Sequence, residues 1–166
     1  MSHRATGSLA LLAMCGDLIV AIEAVSIYRI HSALDVVARE DASGGWCVEI
    51  DGESVAGWDL GAVLGMPGCT AAWVILEWRG SGHGRIALRV GRCVSVRVLP
   101  VCVPIPRSIF MSRSDAIVAA FSAGDVEELA GHPSGVVVDV QALLSAAELE
   151  AGARRRKASG AAPNPS

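Results

Sequence analysis

Charge is scarce in this sequence, and so are the residue pairings on which most site chemistry rests. Only 19% of its 166 residues are charged, the net charge is −3 and the pI lies near 5.8. No overall basic excess is available to neutralise phosphates, which argues against electrostatic capture of nucleic acid or of an anionic membrane. The five cysteines, Cys15, Cys47, Cys69, Cys93 and Cys102, are odd in number and contain no CxxC spacing for zinc or redox work. Buried, reduced thiols in a cytosolic protein are expected. His83 and His132 have no second His, Cys or carboxylate at ligand spacing, so no metal site is expected. Asp17 and Glu23 interrupt the one long apolar region, which excludes a membrane-spanning helix there. Met1–Cys15 imitates a lipoprotein leader. Its apolar run is too short and Met14 is a poor small-residue neighbour for cleavage, so no lipid anchor is expected.

Apolar residues, by contrast, are abundant: 52% are hydrophobic and the mean hydropathy is +0.45. A chain of this length suits one domain, or two small subdomains sharing a core, with apolar surface left over for a partner. The stretch Trp46–Pro67, WCVEIDGESVAGWDLGAVLGMP, holds the clearest local signals. Cys47, Val48 and Ile50 form one strand, Asp51-Gly52 a tight turn, and Val55–Trp58 the returning strand. Asp59 stands at a helix N-cap, followed by Leu60, Val63 and Leu64 at the spacing of one buried face. Gly65 closes that helix and Pro67 prevents its continuation.

Elsewhere the pattern is mostly extended. Ser8–Met14 reads as a strand, Gly16-Asp17 as a turn, and Leu18–Ile30 as a second extended region, bent once and buried on both faces. Ser32–Arg39 is expected to form one or two helical turns before a polar loop that runs to Gly45. Ala71–Trp78 is apolar on both faces, as in a central strand. In Arg85–Val90, Ile86, Leu88 and Val90 share a face opposite Arg85, Ala87 and Arg89; Val94, Val96 and Val98 likewise alternate with Cys93, Ser95 and Arg97. One face is expected to be core and the other a solvated surface carrying arginines, with docking of an acidic partner as the alternative. Pro100–Pro106 must be an extended connector. Ile117–Phe121 and Gly135–Val138 are further strands, and from Asp139 the period becomes helical, with Val140, Leu143, Leu144, Ala147 and Ala151 on one stripe. The folded unit is expected over residues 1–150. Residues 151–166, with the basic run Arg154–Lys157, read as a solvated helix end and a disordered tail.

Candidates for chemistry are few. Cys15, His31 and Asp35 supply the residue types of a nucleophile, base and orienter, the best available case for a cysteine hydrolase, but no family signature flanks Cys15. The glycine-rich Arg79–Gly84 lacks the GK[ST] ending of a phosphate cradle and reads as a hairpin loop. Asp51 and Glu53 flank a turn glycine, where turn geometry alone favours Asp, with recognition of a partner as the alternative.

Taken in order, four segments resemble the CheW-like domain, the bacterial adaptor that couples chemoreceptors to a CheA-type histidine kinase. They are GDLIVAIEAVSIYRI (Gly16–Ile30), VEIDGESVAGWDLGAVLG (Val48–Gly65), ALRVGRCVSV (Ala87–Val96) and GVVVDVQALLSAAEL (Gly135–Leu149). The resemblance implies a mostly β fold of two small five-stranded closed barrels packed side by side, with short helices and a C-terminal helix. It also implies a cytoplasmic, non-enzymatic scaffold with no cofactor. Its partners would be a kinase regulatory domain, the cytoplasmic tip of a chemoreceptor in a groove between the barrels, and other CheW-like domains. The family's Val-x-Glu-Ile falls on Ile27-Tyr28-Arg29-Ile30 and its Asn-Leu-Arg-Gly on Glu49-Ile50-Asp51-Gly52. Arg29 thus stands in place of a Glu, and Asp51 in place of an Arg. The Pro before the family's Asp-Leu pair is Ala56, and the Asp of its Val-Val-Asp segment is Gly91. The partner-binding set carried over is Ile27, Arg29, Ile30, Asp51, Gly52 and Arg89. A scaffold that no longer couples receptor to kinase is the alternative that the two reversed charges raise.

Overall fold

A computed structural model describes residues 7–42, 45–78, 84–99, 102–105, 116–122, 131, 134–143 and 145. The strands are β1 Leu9–Cys15, β2 Leu18–Glu23, β3 Ile27–Ser32, β4 Val37–Glu40, β5 Trp46–Ile50 and β6 Glu53–Asp59. After the helix α1, Leu60–Leu64, come β7 Ala72–Trp78, β8 Gly84–Val90, β9 Cys93–Val98, β10 Cys102–Pro104, β11 Ile117–Ser122 and β12 Ser134–Val138. They form two six-stranded sheets, the first ordered β10-β11-β12-β2-β1-β9 and the second β3-β7-β8-β6-β5-β4. Pairing is antiparallel except for β12 with β2 and β6 with β8.

The chain crosses between the sheets where the long extended region bends. A single 3₁₀ turn, Ala24–Ser26, separates β2 in the first sheet from β3 in the second. Burial on both faces follows from the alternation along β1 and β2. Leu11, Cys15, Val20 and Ile22 enter a core shared by the two sheets, whereas Ala10, Leu12, Ile19 and Ala21 enter a core private to the first sheet. The second sheet repeats this arrangement: Val74, Leu76, Ile86 and Leu88 face the shared core, and Trp73, Ile75 and Ala87 face a private one with Val48, Ile50 and Val55. Three apolar layers therefore hold the molecule together.

The sheets differ from the expected closed five-stranded barrels. Each has six strands, and among the described residues no ladder joins its two end strands, so each is a curled, open half-barrel. Three local expectations are also corrected. Val37–Glu40 is a strand rather than a helical turn, because it completes the ladder of β5 from Val37↔Glu49 to Glu40↔Trp46; edge pairing outweighs a weak helical preference over so few residues. The face of β8 that carries Arg85, Ala87 and Arg89 is not a solvated surface, since Ala87 is fully buried and Arg85 and Arg89 are partly so. Along β9 the alternation fails at a bulge opposite Leu12 and Ala13, where Ser95 and then Cys93 find partners. Val94 consequently packs on the first sheet's private core, while Val96 and Val98 are exposed. Of the five thiols, Cys15 and Cys69 are buried, Cys93 and Cys102 half-buried, and Cys47 exposed beside the Ser54 hydroxyl.

The local signals around α1 form as expected. Asp51 and Gly52 both take positive φ, 51° and 82°, as a two-residue hairpin turn of matching twist requires. Asp59 accepts a hydrogen bond from the Ala62 amide at 3.0 Å and a second from the Cys69 amide at 2.8 Å, so one carboxylate caps the helix and pins the loop beyond it. Gly65, at φ 73°, ends the helix in the left-handed region. Asp139 caps a second helical turn by accepting from the Gln141 and Ala142 amides, and Val140 and Leu143 enter the shared core. Leu144, Ala147 and Ala151 of the expected stripe, the glycine-rich loop 79–83 and the tail 151–166 lie outside the described residues.

Candidate functional site

The feature with the most unusual geometry is at the mouth of the second half-barrel. Arg29 lies on β3, at one end of that sheet, and Asp51 in the β5–β6 turn; in the sheet order, three strands intervene between β3 and β5. The two side chains nevertheless meet, with Arg29 Nη1 donating to Asp51 Oδ2 at 2.9 Å and to Oδ1 at 3.2 Å. This contact is made across the open side of the sheet, and the curl of the strands brings the hairpin turn to it. A bulge in the β3–β7 ladder between Ile27 and Arg29 assists by re-aiming the residues of β3.

Around this pair the sheet gathers further polar and aromatic groups. The Arg85 guanidinium stacks 3.7 Å from the Tyr28 ring centroid, with Arg29 farther off the same ring at 5.8 Å. Arg85 also approaches Glu53 at 3.6 Å. Tyr28, Arg29, Asp51, Glu53 and Arg85 thus form one exposed or half-exposed patch in which both signs of charge are arranged over an aromatic ring. With both side chains about half exposed, the Arg29–Asp51 pair stabilises the fold by no more than about 1 kcal/mol. Its cross-sheet placement bears on what the surface presents far more than on stability.

The other expected site residues fall elsewhere. Ile27 packs partly on the shared core, Ile30 is exposed on the neighbouring stretch of β3, and Gly52 occupies the turn tip. Arg89 does not join the patch. Its guanidinium lies 4.6 Å from Trp46 and 5.7 Å from Trp73, rings that meet edge to face at 5.8 Å, and its Nε has no partner among the described residues. Its role in the structure is packing over the second private core.

The residues of the hydrolase alternative are held apart in function. Cys15 lies in the shared core with its sulfur against Cys69, and no described hydrogen bond links it to His31. His31 sits on β3 opposite Trp73 with Nε2 buried and unpartnered among the described residues, and Asp35 lies in the exposed turn beyond. Among the described residues no group of three or more His, Cys, Asp or Glu side chains could hold a metal ion, and no helix is long and apolar enough to cross a membrane.

Sequence reasoning missed Tyr28, Glu53 and Arg85 as members of one patch. Alternation placed Arg85 on the correct face of its strand. Nothing local to β8 signals that Tyr28 would cover it, because their contact depends on how β3 is bulged.

No protein-family profile matches the chain, and no curated protein matches it. Among solved structures it is similar to the scaffolding protein TtCheW from Thermoanaerobacter tengcongensis, with a TM-score of 0.63 over 82% of this chain and 92% of that one, at 12% sequence identity. The likeness is one of fold: this chain has the two-sheet, mostly β CheW-like architecture.

Proposed function

We propose that this chain is a non-enzymatic adaptor of a chemosensory or motility array, which bridges a chemoreceptor's cytoplasmic tip and the regulatory domain of a CheA-type histidine kinase. The likeness in fold to a scaffolding protein supports an adaptor, and the resemblance of four segments in order supports this family of partners. The observation that carries the reading is the Arg29–Asp51 ion pair. The two positions where the family pattern has Glu and Arg carry the opposite charges here, and they meet at 2.9 Å. A pair whose polarity has been exchanged keeps its internal contact while inverting the charge offered to a partner, so it changes which receptor tip is accepted without unmaking the surface. Ile30 and Gly52 extend the same proposed surface, Ile27 anchors its strand on the shared core, and Arg89 packs behind it over Trp46 and Trp73. The proposed domain covers residues 1–150, and its place of action is the cytoplasm.

Titration of the purified chain against kinase regulatory domains and receptor tips from its own source tests this directly. Binding to both is expected, and its absence at low salt for every candidate would overturn the reading. The exchange Arg29→Glu with Asp51→Arg is expected to rebuild the pair and to shift preference toward ordinary receptor tips.

One observation favours a second reading. Because Arg29 and Asp51 already pair with each other, an outside group must compete with that contact, which suits a CheW-like scaffold that no longer couples receptor to kinase. Retention of kinase binding with loss of receptor binding would select it.

A further inference from the structure

The junction between the sheets contains two buried sulfurs in contact. Cys15 ends β1 in the first sheet, and Cys69 lies in the segment between α1 and β7 of the second sheet; they are 0% and 4% exposed, and the Cys69 thiol donates to Cys15 Sγ at 3.3 Å. They are 54 residues apart in sequence. Neither sulfur has a role in the surface proposed above.

We propose that Cys15 and Cys69 form a reversible dithiol switch, oxidised by hydroperoxides to a disulfide that staples one half-barrel to the other. Three features of the site support this. The sulfurs already touch and must close by only about 1.3 Å to reach bonding distance near 2.05 Å. The Cys69 backbone belongs to an irregular segment, pinned at its amide by Asp59 at 2.8 Å, so its side chain can approach Cys15 without disturbing a strand. One proton shared between two thiols also divides their acidities. The hydrogen bond between them draws Cys69 down to about 7 and pushes Cys15 up, while burial and, more weakly, the Asp59 carboxylate oppose ionisation of both.

The chemistry balances with a hydroperoxide as the only oxidant. The Cys69 thiolate attacks the peroxide, forming an S–O bond as the O–O bond breaks, and the departing hydroxide, or alkoxide from an organic peroxide, takes a proton. Cys15 then attacks the sulfenic sulfur, the S–S bond forms, the S–O bond breaks, and the second oxygen leaves as water with the Cys15 proton. Two thiols lose two electrons and two protons in total, and hydrogen peroxide becomes two waters. A cytosolic thiol pool returns the pair to the reduced state.

The test is peptide mapping of the full chain after graded hydrogen peroxide, with free thiols alkylated under denaturing conditions. The expected result is one Cys15–Cys69 cross-linked peptide, lighter by two hydrogens than its reduced parts, reversed by dithiothreitol and accompanied by a rise of several degrees in Tm. A chain carrying Cys47→Ser, Cys93→Ser and Cys102→Ser should give the same cross-link. Recovery of Cys15 and Cys69 as alkylated thiols while Cys47 is consumed would overturn the proposal. So would accumulation of Cys69 sulfinic acid without a cross-link. Both readouts are independent of any receptor or kinase, so failure here leaves the adaptor reading untouched, and the reverse holds.

Discussion

Asp59 serves this fold at two places at once, because its two carboxylate oxygens act on different elements. One caps α1 through Ala62 and the other fixes Cys69. Asp59→Ala is expected to lower stability by about 1–2 kcal/mol, the usual range for a lost N-cap, and Asp59→Asn by less, as measured by urea denaturation. Gly91 is constrained in the opposite sense, by lack of space. A Cβ there would stand 2.5 Å from the Met14 carbonyl oxygen, at a point where Gly91 N donates to that same oxygen at 2.8 Å. Gly91→Asp is therefore expected to destabilise the chain by roughly 1–3 kcal/mol through displacement of β1 from the β8–β9 turn. A thermal melt checks this.

Among the elements, β7 and β9 mark the extremes. Strand β7 is interior to its sheet and contributes Trp73, 1% exposed, to the second private core. Gly57 on β6 makes room for it, since a Cβ at that glycine would stand 3.0 Å from the Trp73 ring and 2.9 Å from Val48. Trp73→Ala is expected to cost about 3–5 kcal/mol and to release Arg89 from its aromatic seat, observable as a large fall in denaturation midpoint. Strand β9 is an edge, and its Val96 and Val98 lie 51% and 58% exposed beside Leu9 at 51%. Val98→Lys is expected to change stability by no more than about 0.5 kcal/mol and to reduce self-association at high concentration, which light scattering reads. Strand β10 shows how a proline-rich connector can still pair: Cys102–Pro104 sits at the other edge, where a residue without an amide hydrogen is tolerated.

For the molecule as a whole, the arrangement of three apolar layers makes the relative placement of the two half-barrels part of the fold. Leu11, Val20, Val74 and Leu88 belong to one cluster though they come from different sheets, so separating the sheets exposes a core. A surface composed across a curled sheet, such as the Arg29–Asp51 patch, inherits that rigidity. Arg29→Glu alone places two like charges within contact distance and is expected to cost up to about 1 kcal/mol, and adding Asp51→Arg should recover most of it. A double-mutant cycle in urea measures the coupling, independently of any partner.

Short-range chemistry alone determined the Asp51-Gly52 hairpin, the Asp59-to-Gly65 helix, the extended character of β1, β2, β7, β11 and β12, and the cap at Asp139. In each case the deciding interactions lie within a few residues, as turn dihedrals, caps or alternating burial. The tertiary structure decided the rest. Val37–Glu40 became a strand because a neighbour's free edge was there to pair with, and the arginine-bearing face of β8 became half-covered, with Ala87 buried between Arg85 and Arg89, because the sheet curls. Among the described residues six strands form each sheet without joining end to end, because curl and closure depend on bulges and on contacts between strands far apart in the chain. The meeting of Arg29 with Asp51, and of Cys15 with Cys69, was decided in the same way: each pair is separated by tens of residues in sequence, and only the path of the backbone through two sheets brings its members together.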